Sequence, residues 1–76
     1  MVVENEAAVR LSPCEREVLE LSACGAVALE VAGALGLPLD EVREHLAAAT
    51  RKLGARSRLE AVIVALRDGL IELPAE

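Results

Sequence analysis

The stretch ALEVAGALGLPLDEVREHLAAATRKL, residues 28–53, decides the fold. In its second part Val42, Leu46, Ala49 and Leu53 recur at i, i+4, i+7 and i+11, which aligns them in one buried stripe along a helix. That helix is expected from about Leu39 to Leu53. The first part, Ala28 to Leu35, sets Val31, Ala32 and Leu35 on one face of a shorter helix, which Gly33 weakens. Between them stands Gly36-Leu37-Pro38, a tight turn. A glycine just past a helix end takes the left-handed cap conformation without steric cost. A short helix, a tight turn and a longer helix make a helix-turn-helix, in which the second helix enters the DNA major groove. A small helical bundle with short turns satisfies the same pattern.

Outward from this stretch the signals stay helical. Ser12, Pro13 and Glu15 form a capping box with proline at the first helical position. The helix they open is expected to run to about Cys24, with Val18, Leu19 and Leu21 inward. Ser57 and Glu60 repeat the box and open a last helix, about Arg58 to Asp68. Gly25, Gly36, Gly54 and Gly69 each follow a stretch of helical spacing. Beyond the last of these, Leu70 and Ile71 offer apolar groups for a tail that folds back. No segment alternates apolar and polar residues. The expectation is an all-α domain of four helices: a lead over residues 1–10, the domain over 11–71 and a tail over 72–76.

At 76 residues the chain holds one small domain, and 54% hydrophobic composition is too apolar for a disordered segment. It has no Phe, Trp or Tyr, so its core is built from small side chains. The longest wholly apolar run, Ala61 to Leu66, is far short of the ~20 residues that span a bilayer. Glu4 and Glu6 stand where an export signal carries Lys or Arg, so a soluble cytoplasmic domain is expected, with no membrane partner. The net charge of −5 opposes nucleic-acid binding at first sight. The distribution is uneven, however. Residues 43–58 hold Arg43, Arg51, Lys52, Arg56 and Arg58 against Glu44 alone, while the segments on either side are acidic. Such an island marks either a partner surface or a solvated helix face.

The motifs LSPCEREVLEL (11–21), EVAGALGL (30–37), VREHL (42–46) and RKLGARSRLEAV (51–62) together resemble the C-terminal DNA-binding domain of LuxR-type regulators, also called the GerE or FixJ type. The likeness covers roughly Leu11 to Ile71 without gaps. It implies a four-helix helix-turn-helix domain with the motif at about 28–53. The third helix would be the reader of double-stranded DNA, and the fourth, about 58–68, the dimerisation surface. A sensor or receiver domain commonly precedes such a module, although stand-alone members exist. Base contacts then fall at the positions of Arg43, Glu44 and Ala47. Arg43 suits guanine O6 and N7, Glu44 suits cytosine N4, and Ala47 suits a thymine methyl. Arg51, Lys52, Arg56 and Arg58 are left for phosphates. Four neutralised phosphates give a slope of log affinity on log salt of only ~3.6 per domain, so a homodimer is required.

The departures from the family pattern are informative. Where the family opens its second helix with a polar group such as Ser-Asn-Lys, this chain has Val27, Ala28 and Leu29, and only Glu30 survives. The missing cap oxygen costs roughly 0.5–2 kcal/mol. At the start of the third helix Pro38 and Glu41 replace Ser and Thr. Asp40 and Glu41 suit the helix dipole but repel a phosphate. An alternative reading follows. Val27 and Leu29 form an apolar partner surface, and the domain binds another regulator protein in place of DNA, as an anti-activator. A milder reading has them fill a core reduced by Ala49 and Thr50.

The remaining residues carry less. Leu59, Ile63 and Arg67 are the candidate homodimer seam of the fourth helix, unless that helix is buried on every side. His45 has no Cys or His at ligand spacing, so a packing and hydrogen-bonding role is expected and no metal or other cofactor. Cys14 and Cys24 lie ~15 Å apart along one helix and cannot bridge each other. They are expected as buried or half-buried free thiols, with a redox link between subunits through Cys24 as the other reading. No triad, phosphate-cradling glycine loop or paired carboxylates in a cleft appear. The chain is expected to be no enzyme and to lack the volume for a small-molecule substrate pocket.

Overall fold

The computed structural model describes residues 10–73. The lead before Arg10 and the last three residues of the tail lie outside the described residues. Four helices follow in order: α1 (Pro13–Ala23), α2 (Ala28–Leu35), α3 (Leu39–Lys52) and α4 (Arg58–Arg67). No strand occurs among the described residues. The expected helices are all present, with three of the four C-terminal ends one residue earlier.

Each helix starts as its local sequence dictates, with two refinements. At α1 the box is complete: Glu15 N–H donates to Ser12 Oγ at 3.1 Å, and Ser12 N–H donates to Glu15 Oε1 at 2.9 Å. At α4 the box is displaced by one residue. Glu60 N–H donates to Ser57 Oγ at 3.2 Å, but the Glu60 carboxylate accepts from Arg56 N–H at 2.8 Å. Ser57 sits at φ −150° where Ser12 has −68°, which turns its own N–H away from the first turn. At α2 half of the box survives without its hydroxyl: Val27 N–H donates to Glu30 Oε1 at 3.1 Å. The four helices end alike. Ala26, Leu37, Ala55 and Leu70 donate N–H groups to the carbonyls of Leu21, Ala32, Thr50 and Ala65, around four glycines of positive φ. Gly36, at φ 68° and ψ 33°, makes the sharp α2–α3 turn possible.

α1 and α3 are the central pair. α2 packs on one side of them and α4 on the other, and α2 does not touch α4. The core divides accordingly. Val18, Val31, Ala32 and Val42 fill the α2 side, while Leu19, Ala49, Ala61, Val62, Ala65 and Ile71 fill the α4 side. Leu46 packs against both clusters and joins them. Ile71 is buried, so the tail does fold back, and Glu20 Oε2 accepts from Glu72 N–H at 3.2 Å to hold it. Leu21, Leu35, Leu46 and Leu53 are half-buried, because the small core leaves their outer edges in solvent.

Both cysteines are exposed free thiols, which corrects the expectation of buried ones. The inward positions of α1 are Glu15, Val18 and Leu19; Cys14 falls on the outer face and Cys24 just past the last turn.

Gly33 tests the local energetics. It is exposed, its backbone lacks positive φ, and a Cβ there meets nothing within 4 Å. Gly33→Ala is expected to stabilise the domain by about 0.5–1 kcal/mol, raising the melting midpoint followed by circular dichroism by ~4 °C. Gly36→Ala, forced into the left-handed region, is expected to lower it.

Candidate nucleic-acid interface

α3 turns Val42 and Ala49 into the core and presents Arg43, Glu44, Ala47 and Arg51 to solvent; Ala48 is half-buried. Arg43, Ala47 and Arg51 succeed one another at i, i+4 and i+8, a ridge ~12 Å long. Arg56, in the α3–α4 connection, and Arg58, at the start of α4, are also exposed and extend the positive surface beyond Arg51. Among the described residues the ion pairs join Lys52 to Glu15 and Arg67 to Asp68. Arg43, Arg51, Arg56 and Arg58 therefore keep their charges free of a protein carboxylate there.

Lys52 is paired with a carboxylate of the protein. Its ammonium donates to Glu15 Oε1 at 2.9 Å and to the Arg10 carbonyl at 3.1 Å. The last turn of α3 directs it to the start of α1, whereas Arg51, Arg56 and Arg58 make no ion pair among the described residues. Glu15 is the buried partner. Burial by itself pushes its carboxyl pKa up. The Lys52 hydrogen bond, the Ser12 N–H and the charges of Lys52 and His45 outweigh that and hold it below the ordinary 4.5. His45 is half-buried. Local spacing could not reveal the pair, because Glu15 and Lys52 stand 37 residues apart.

A comparison with family models matches residues 9–65 to bacterial regulatory proteins of the luxR family. The chain belongs to that family. Among relatives, LuxR-family similarity reaches 44% identity over 62 residues with the transcriptional activator protein BjaR1 of Bradyrhizobium diazoefficiens. It reaches 44% over 64 residues with the quorum-sensing-dependent regulator RpaR of Rhodopseudomonas palustris. The spore germination protein GerE of Bacillus subtilis is 40% identical over 63 residues. The matches cover 82%, 84% and 83% of this chain, but 26%, 26% and 85% of those proteins, so the chain spans about a quarter of the first two and most of GerE. The solved structure of the transcription factor GerE superposes with a TM-score of 0.79 at 28% identity, covering 84% of this chain and 96% of GerE. The Vibrio cholerae VqmA dimer, a LuxR-type receptor, gives 0.79 at 26% identity, over 88% of this chain and 31% of that one. The all-α, four-helix helix-turn-helix of the LuxR type is thereby the fold of this chain.

The departures from the LuxR-type pattern now have positions. Val27 is 51% and Leu29 68% exposed, so neither fills the reduced core. Asp40 and Glu41 lie exposed in the first turn of α3, whose capping position, Pro38, supplies no side-chain hydrogen bond. On α4 Leu59 and Ile63 are 69% and 53% exposed, which rules out a helix buried on every side. Arg67 lies on the same face as Ile63, and its guanidinium donates to Asp68. No helix among the described residues is long and apolar enough to cross a membrane, and none of their Cys, His, Asp and Glu cluster as a metal site. A cleft of about 490 Å³ lies between α1, α2 and the tail, in a chain expected to lack the volume for a small-molecule substrate pocket.

Lys52→Met leaves the Glu15 carboxylate buried without its cation. Lys52 is 42% exposed, so solvent screens the pair, and the expected loss is ~1–2 kcal/mol at neutral pH. The pH dependence has a definite sign. Because the folded pKa of Glu15 lies below its unfolded value, the stability it confers is present above about 4.5 and is lost as the pH falls through the folded pKa. Urea midpoints at pH 7 and pH 3 check this: the acid-side loss should shrink in Lys52→Met, where only the Ser12 N–H and His45 still oppose burial.

Proposed function

We propose that this module binds double-stranded DNA as a homodimer in the cytoplasm and regulates transcription, with α3 in the major groove and fewer phosphate contacts than is usual for its family. The observation that carries the reading is the exposed ridge of Arg43, Ala47 and Arg51, continued by Arg56 and Arg58 and unpaired among the described residues. In it Arg43, Glu44 and Ala47 read bases, while Arg51, Arg56 and Arg58 hold phosphates. Asp40 and Glu41 repel the backbone near the start of α3, which weakens a single domain. Leu59, Ile63 and Arg67 supply the seam that doubles the contacts. The module needs no cofactor and catalyses no reaction.

A salt series on a labelled duplex, obtained by unbiased selection with the purified protein, tests the reading. With Lys52 paired to Glu15, three phosphates give a slope of ~2.7 per domain in place of ~3.6. Arg51→Glu with Arg56→Glu is expected to abolish binding while the helical spectrum persists. Absence of any salt-dependent binding at low ionic strength would overturn the proposal.

The exposure of Val27 and Leu29 supports the second reading, a surface for another regulator protein. Leu29→Lys separates the two. It adds a cation at the opening of α2, so DNA affinity should rise and the salt slope should steepen by ~0.9. A module that uses Leu29 against a protein would instead lose its partner.

A further inference from the structure

We propose that the cleft between α1, the end of α2 and the tail is a docking groove for a cationic amphipathic helix of a second protein. The inference goes beyond DNA binding and does not depend on it, since no residue of α3 lines the groove. Leu21, Leu35 and Leu73 supply its apolar surface, with the exposed Cys24 beside them. Glu17, Glu20 and Glu72 are the charged groups that line it, with no Lys or Arg among the lining residues. The tail is held as a wall of the groove, because the Glu72 N–H donates to Glu20 Oε2 and Ile71 is buried beneath.

The chemistry selects the occupant. About 490 Å³ of open space over leucines receives aliphatic side chains, and three carboxylates without a cationic partner among the described residues attract Lys or Arg on either side of them. A helix with one apolar stripe and basic flanks meets both demands. Residues 1–9 of the chain do not, since they hold Glu4 and Glu6 and no basic side chain. A second copy carries Arg43, Arg51, Arg56 and Arg58 on the surface that DNA would occupy, and elsewhere among the described residues offers scattered arginines such as Arg16 with no apolar stripe beside them as long as a helical peptide's.

Cys24 provides the readout. In a Cys14→Ser protein it is the single thiol. Two synthetic helical peptides serve as probes, one of leucine and lysine and one with glutamate in place of every lysine. The cationic peptide is expected to slow alkylation of Cys24 and to shift the amide resonances of Leu21, Leu35 and Leu73. The acidic peptide should do neither. Glu17→Lys should weaken the cationic peptide about three- to tenfold, and Leu73→Ser should weaken it comparably, while both variants keep the parent amide spectrum. The proposal fails if both peptides bind alike, if the shifts map to another face, or if Cys24 is protected by raising the concentration of the protein itself, which would make a second copy the occupant. Adding duplex leaves the peptide affinity unchanged if the groove is separate from the α3 ridge; competition between the two overturns the assignment. A protein that binds no DNA still answers the peptide experiment.

Discussion

The contact between Lys52 and Glu15 joins the last turn of α3 to the first turn of α1, the two helices on which the rest of the domain is packed. Glu15 does two jobs with one carboxylate. It accepts the Ser12 N–H as part of the cap of α1 and holds the Lys52 ammonium as a tertiary tie. The pair thus adds a tie to the packing of Val42, Leu46 and Ala49 against Val18 and Leu19, which sets the direction of α3 relative to the body. That direction sets which way Arg43, Ala47 and Arg51 face. The same contact pairs a surface cation, Lys52, with a carboxylate of the protein.

A chain without aromatic side chains cannot fill a large core. The largest fully buried groups are Leu19, Val18, Val31 and Val42, arranged in two clusters that meet at Leu46. With so little apolar area to bury, the helix ends matter more. Side-chain or glutamate caps at α1, α2 and α4, and the same carbonyl-satisfying turn at the end of every helix, leave few backbone groups unpaired. Half-buried leucines are the other consequence: Leu21 and Leu35 keep an edge in solvent and become the floor of the groove.

The charge of the molecule is uneven. Arg43, Arg51, Arg56 and Arg58 lie exposed from α3 to the start of α4, with Asp40, Glu41 and Glu44 beside them on α3. Glu17, Glu20 and Glu72 line the cleft of α1 and the tail, with Arg16 exposed on the same helix. A net charge of −5 averages over these surfaces and hides the local excess of cations between Arg43 and Arg58.

The helices, their caps and their turns were legible in the sequence because each is set by residues within a few positions of one another. Ser12 with Glu15, Gly36 before Pro38 and the Val42–Leu53 stripe need no distant partner. The exposed ridge of α3 was legible for the same reason, being the complement of its buried stripe. What lay beyond reach were the contacts between segments far apart in the chain. The fate of Lys52 depended on Glu15, the exposure of the cysteines on which face of α1 was buried, and the groove on where Glu72 and Leu73 came to rest. Local propensity acts over a helical turn, whereas an ion pair across 37 residues exists only after packing has brought its two ends together.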